Sequence, residues 1–280
     1  LISVRSRDDT SCLFTVPLTA VVDMLNGRWY TDIRGLDWTP LHFAAHIGHL
    51  GAVMQLCEMG MDKEKADCNG HSPLHTAAAQ GHLEVLKHLC DMGGDKDKAR
   101  KDGLTPLMLA SCQGHLDIVK YLCEAGADKD KGDDETPLYV AAEKGHLEVV
   151  MYLCGAGASK EKANLHIQKT PLHPAAYRGH LEVVKYLCEA GMDKEKASSD
   201  KEKTPLYFAA SNGCLTVVKY LCEMGANRDT ATSDGETSLT VATFHGFLDV
   251  VMYLCETGAN MEMGFKNGAT PLLIAVGSDQ

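Results

Sequence analysis

The sequence predicts an all-α solenoid of stacked helix pairs joined by polar loops. Three observations predict it. A Thr-Pro-Leu triplet or a near variant begins at Thr39, Ser72, Thr105, Thr136, Thr170, Thr204, Thr237 and Thr270, at spacings of 33, 33, 31, 34, 34, 33 and 33 residues. Each of the first seven is followed nine residues later by a glycine, from Gly48 to Gly246, and two residues after that by a leucine. A second apolar segment then ends in Leu-Cys, at Cys57, Cys90, Cys123, Cys154, Cys188, Cys222 and Cys255, with another glycine three residues on. A period of about 20–50 residues marks units that cannot bury their own apolar face and stack on their neighbours.

Each unit reads as helix, turn, helix, loop. In the fifth, Thr170 is placed to cap the first helix and Pro171 suits its first position, where a missing N–H costs nothing. Leu172, Ala175 and Ala176 give that short helix a small apolar face that permits a close neighbour. Gly179 ends it, since glycine tolerates a left-handed backbone. Leu181, Val183, Val184, Leu187 and Cys188 recur at helical spacing in the second helix, which Gly191 closes. Asp193-Lys194-Glu195-Lys196 is too charged to bury and reads as a solvated connecting loop.

With Thr170-Pro171-Leu172-His173, Ala175-Ala176, Gly179-His180-Leu181-Glu182-Val183-Val184, Leu187 and Gly191 in place, the chain resembles the ankyrin repeat family. The resemblance covers about residues 36–280, with repeats starting near 36, 69, 102, 133, 167, 201, 234 and a partial one from 267. It implies antiparallel helix pairs stacked side by side, β-turn loops projecting as a row of fingers, and a concave surface, between fingers and first helices, that carries binding. It also implies that the histidines of the Thr-Pro-Leu-His element (His42, His75, His173) and those after the turn glycine (His49, His82, His115, His146, His180) are structural.

The two ends differ from the middle. Residues 1–35 read as a loose segment carrying a half-repeat helix (Leu18, Val21, Val22, Leu25) that caps the array, with residues 1–12 the loosest part. The last repeat has one helix, Thr270 to Val276, and no partner helix, and the chain begins at Leu1 without a Met. Both features suggest a piece of a longer product. Internal departures are local. The third repeat is two residues short around Lys131-Gly132-Asp133, with Asp134 in place of a glycine, and the fourth and fifth each carry one extra loop residue. Pro174 stands inside a first helix, Ser238 replaces a proline, and Cys214 and Phe247 replace the histidine after the glycine.

Charge excludes several functions. A formal net charge of -11 opposes binding to phosphate backbones or acidic membranes. No apolar run reaches the roughly 18 residues that insertion into a bilayer needs. The repeated cysteine reads as a small apolar core residue. Helices about 8–10 Å apart keep equivalent thiols beyond the roughly 7 Å Cα separation a disulfide needs. Buried free thiols point to the cytoplasm or another reducing intracellular compartment.

Chemistry finds no constellation. Cys112-Gln113-Gly114-His115 is a lone C-x-x-H without the second pair that zinc requires, so no metal is expected. Gly155-Ala156-Gly157 is a helix end, and no phosphate loop, nucleophile elbow or H-E-x-x-H motif occurs. No cofactor and no catalysis are expected.

Binding is expected where near-identical repeats differ, because the fold does not dictate those positions. One set lies just before the turn glycine: His46, Gln80, Gln113, Glu143, Lys144, Tyr177, Arg178, Asn212, Phe244 and His245. Another lies just before the threonine, with Trp38 and His71 as its candidates. Tyr139, Tyr207 and Phe208 are divided between added apolar contact area and internal packing. The expected function is a non-catalytic, monomeric scaffold holding a protein partner. The alternative is a regulatory or targeting arm of a larger protein such as a kinase, ubiquitin ligase or channel.

Overall fold

A helix here begins where a threonine can cap it and ends where a glycine can turn left-handed, and a computed structural model shows that alternation throughout. It describes the backbone of residues 2–5 and 13–16 and, in full, residues 37–132, 135–162 and 167–277. The expected capping helix at residues 18–25, Asp133, Asp134 and the extra loop residue of the fourth repeat lie outside the described residues. Two units form, Leu1–Asp128 and Lys129–Gln280.

The first unit contains β1 (Ile2–Arg5) and β2 (Leu13–Val16), an antiparallel ladder pairing Ile2 with Val16 and Arg5 with Leu13. The sequence suggested no regular structure here, so this pairing is an addition to it. Three helix pairs follow: α1 (Pro40–His46) with α2 (Leu50–Glu58), α3 (Pro73–Gln80) with α4 (Leu83–Asp91), and α5 (Pro106–Gln113) with α6 (Leu116–Glu124). The second unit holds α7 (Pro137–Lys144) with α8 (Leu147–Gly155), α9 (Leu172–Arg178) with α10 (Leu181–Glu189), and α11 (Pro205–Ser211) with α12 (Leu215–Glu223). It ends with α13 (Ser238–Phe244), α14 (Leu248–Glu256) and the single α15 (Pro271–Gly277). Within each unit first helices pack on first helices and second on second, the former more closely, as their alanine pairs allow.

The core follows the repeat. Leu41, Leu74, Leu107, Leu138 and Leu172 are fully buried, as are the alanines and the valine or leucine pairs facing them. The cysteine column departs from expectation. Only Cys57 and Cys222 are buried, while Cys90, Cys123, Cys154, Cys188 and Cys255 are half-buried at the rim of the second helices. In Cys90, Cys154 and Cys188 that partial burial still disfavours the thiolate, and it pushes Cys90 and Cys188 up to about 11.

Hydrogen bonds between repeats add direction to this apolar stacking. The His82 ring meets the His46 carbonyl at 2.9 Å, His115 that of Ala79 at 3.2 Å, and His180 that of Glu143 at 2.9 Å. Such a ring lies against the preceding turn glycine. A Cβ on Gly48, where φ is +71°, would stand 2.5 Å from His82 Nδ1. Glycine is therefore needed twice over there, for its backbone and for the room it leaves. Cys214 substitutes for the ring by pointing its thiol at the Tyr177 carbonyl, 3.3 Å away.

The fifth repeat shows what Pro174 does. In its siblings the fourth residue after the cap donates to the cap carbonyl, as Phe208 N–H does to Thr204 at 3.1 Å. Pro174 has no N–H, so His173 N–H reaches the Thr170 carbonyl instead, at 3.0 Å. The helix starts at Leu172, one residue later than the sequence reading placed it. The Thr170 hydroxyl pairs with His173 Nδ1 at 3.0 Å rather than capping a backbone N–H.

Candidate functional site

The fingers are turns closed by their own backbones. Asp67 N–H donates to the His71 carbonyl at 2.8 Å, and the Asp67 carboxylate accepts the N–H groups of Asn69 and His71, both at 2.8 Å. Adjacent fingers are joined by backbone bonds, from Lys101 N–H to the Asn69 carbonyl and from Lys266 N–H to that of Asp234. The finger Ser198 to Lys203, where the fifth repeat joins the sixth, absorbs the fifth repeat's extra residue by placing Lys201 and Glu202 both in the left-handed region, at φ of 59° and 57°. These joined turns hold the residues before each threonine at fixed positions beside the first helices.

In the first unit this organises Trp38, His46 and His71. The Trp38 indole N–H donates to Asp67 Oδ2 at 3.1 Å, and its ring lies 5.1 Å from that of His46. His71 stands between Asp67, 3.0 Å from Nδ1, and Arg100 Nη1, 2.6 Å from Nε2. A guanidinium only donates, so Nε2 accepts and Nδ1 carries the proton that His71 gives to Asp67. Burial alone would raise the Asp67 carboxyl, but the His71 backbone N–H, the His71 ring and the Asn69 N–H outweigh it and hold the carboxyl below its ordinary value. His46 is half-buried, and burial followed by nearby His82 brings it down to about 4. It therefore presents a neutral ring at neutral pH. Gln80 and Gln113 are exposed at the ends of α3 and α5.

In the second unit, Arg178 donates to Glu143 Oε1 at 2.7 Å, with Lys144 3.8 Å from the same carboxylate. The Arg178 guanidinium lies 5.8 Å from the Tyr177 ring centre, and Asn212 donates to the Tyr177 carbonyl at 2.8 Å. Glu143, Lys144, Tyr177, Arg178 and Asn212 thus form one cluster across the ends of α7, α9 and α11. Phe244 and His245 form a separate edge-to-face pair 5.2 Å apart at the end of α13. Tyr177 is 39% exposed and Phe244 61%. Tyr139, Tyr207 and Phe208 fall on the packing side, each 9% exposed or less.

Sequence reasoning missed Asp67 and Arg100, which tie Trp38 and His71 in place. A signal existed: they occupy the same repeat position 33 residues apart with opposite charge. It also missed the tyrosines at a common second-helix position, Tyr121, Tyr152, Tyr186, Tyr220 and Tyr253. Burial, and after it the Cys90 thiol of the preceding repeat, raises the Tyr121 hydroxyl above its ordinary value.

Competing surfaces are weaker. Met54, Met151 and Met252 are exposed on second helices where other repeats carry lysine, each standing alone at that position with two repeats between it and the next in sequence. Among the described residues no three His, Cys, Asp or Glu side chains gather as a metal site requires, and no helix is long and apolar enough to cross a membrane.

Comparison with known proteins agrees with this geometry. A family model described as ankyrin repeats, in three copies, matches residues 18–100, 92–164 and 159–232. The crystal structure of the human ASB11 ankyrin repeat domain is similar, with a TM-score of 0.68 and 29% identity over 73% of this chain and 92% of that one. No curated protein matches. No catalytic family is indicated by these matches.

Proposed function

Because the chain belongs to the ankyrin repeat family, whose repeats are protein-protein interaction modules, we propose that it is a non-catalytic scaffold that holds a protein partner on the face made by its first-helix ends and finger bases. The observation that carries this reading is the exposure of Tyr177 and Phe244 at equivalent first-helix ends. Large aromatics are costly to leave in water, and with arginine they dominate interface energetics. The fold does not require them there, since Ser211 holds the same position between them.

Rigidity supports the reading. Rings, capping threonines and paired turns fix this face before a partner arrives, which lowers the entropy lost on association. The ten described cysteines are free thiols, and every resolved shift among them is upward. Such thiols suit a reducing intracellular compartment.

The test is affinity capture from native extract with the intact chain and with a Tyr177→Ala/Arg178→Ala variant. The double variant keeps its helicity and loses the partner. Undiminished capture by that variant takes these residues out of the interface.

A further inference from the structure

We propose that the ridge formed by Lys169, Lys203, Tyr177 and Phe208 receives an extended acidic segment of the partner protein, with one carboxylate on Lys169 and a second on Lys203. The proposal rests on the reading of the first-helix face as the binding surface and names the chemistry that surface selects.

Lys169 carries the argument. It stands immediately before the Thr170 element, is half-buried, and holds its ammonium 4.5 Å from the centre of the Phe208 ring. Among the described residues it makes no ion pair. Burial pulls it below the ordinary lysine range, with Asp200 opposing that effect and Lys203 adding to it. A half-buried cation has given up water, and in return it gains the ring's attraction and the pull of Asp200, with which it forms no ion pair. A carboxylate is the group that completes such a site.

Lys203 occupies the same position one repeat later. Its ammonium lies 5.6 Å from the Tyr207 ring and a loose 3.7 Å from Asp200. Other charges nearby already have partners. Arg178 is held by Glu143, Lys201 by Asp234 at 2.7 Å, and Glu236 accepts from the Tyr207 hydroxyl. Neighbouring repeats stand about 8–10 Å apart and an extended chain rises about 3.3 Å per residue, so acids three residues apart reach both lysines. The exposed Tyr177 ring lies beside that track for an aromatic or apolar residue between them.

The probes are acetyl-Glu-Tyr-Gly-Glu-amide and its counterpart with both acids replaced by glutamine, titrated into the full chain while the lysine Cε–Hε signals are followed by NMR. The acidic peptide binds about fivefold more tightly than the amide one, the order one such ion pair supplies, and moves the Lys169 and Lys203 signals. Lys169→Met, with an unchanged circular dichroism spectrum, shrinks the difference, and Lys169→Met with Lys203→Met removes it. Lys169→Arg restores it, and Lys185→Met on the outer helix leaves it intact. Equal affinity for the two peptides, binding by neither, or shifts confined to other lysines overturns the proposal. Self-association that disappears with Lys169→Met also overturns it, because the ridge then belongs to a second copy. If the peptides fail while capture still depends on Tyr177 and Arg178, the scaffold reading survives without this chemistry.

Discussion

The Glu195 carboxylate accepts the backbone N–H of Asn227, one repeat further on, at 2.9 Å. The same bond recurs along the array, from Asp95 N–H to Glu64 at 3.0 Å, Ser159 N–H to Asp130 at 2.8 Å and Asn260 N–H to Asp229 at 2.8 Å. The charged loops are thus more than a solvated edge. Their acids stitch each loop to the same loop of the next repeat. Glu195→Ala is expected to cost about 1 kcal/mol, and Glu195→Gln, which keeps an accepting oxygen, less than half of that. Urea unfolding of the two variants checks it, and equal losses would point to charge rather than the bond.

Acid should loosen the stack before its carboxylates protonate. His75 and His173 are fully buried, and burial foremost brings each from 6.5 down to about 4. Their Nδ1 atoms accept the N–H groups of Ser72 and Thr170, which a protonated ring cannot do. Between those pH values the unfolded chain binds the extra protons. The stability is therefore complete above the unfolded value and is lost as pH falls toward the folded one. By pH 5 the loss is roughly 2 kcal/mol per imidazole. Histidine Cε1 signals followed with pH check it: both rings stay neutral down to pH 5, and titration near 6.5 would contradict the assignment.

Pro174 weakens its helix start. Pro174→Ala restores the missing donor toward the Thr170 carbonyl and is expected to raise stability by about 1 kcal/mol, net of the chain entropy that proline removes from the unfolded state. A rise in urea midpoint at constant slope is the readout.

Glu202 holds a left-handed backbone that glycine adopts without strain. Glu202→Gly is expected to stabilise by about 1 kcal/mol, whereas Lys219→Gly in the middle of α12 destabilises by a similar amount. Opposite signs in thermal unfolding distinguish strain relief from a general effect of glycine.

The helices were legible because their signals are local: a capping threonine, a proline after it, a glycine at the end and apolar spacing between. Arg178 and Tyr177 were legible as candidates because they break a repeat that otherwise copies itself. What was hidden lies between repeats. Asp67 reaches Trp38 and His71, and Glu195 reaches Asn227, across about 30 residues of chain that only the fold brings together. Lys169 and Lys203 were legible only as variable positions before their threonines; the Phe208 ring beneath Lys169 belongs to the next repeat and was not. The half-buried cysteines were misplaced because the sequence gives their period but not their depth.

The central claim is that first-helix ends and finger bases form the partner surface. It is tested most directly by backbone amide and indole NMR spectra of the isotopically labelled chain, with and without the captured partner. The account predicts shifts at Trp38, Lys169, Tyr177, Arg178 and Phe244, with the outer helices α10, α12 and α14 unmoved. Shifts concentrated on those outer helices, with Tyr177 and Trp38 unmoved, would contradict it.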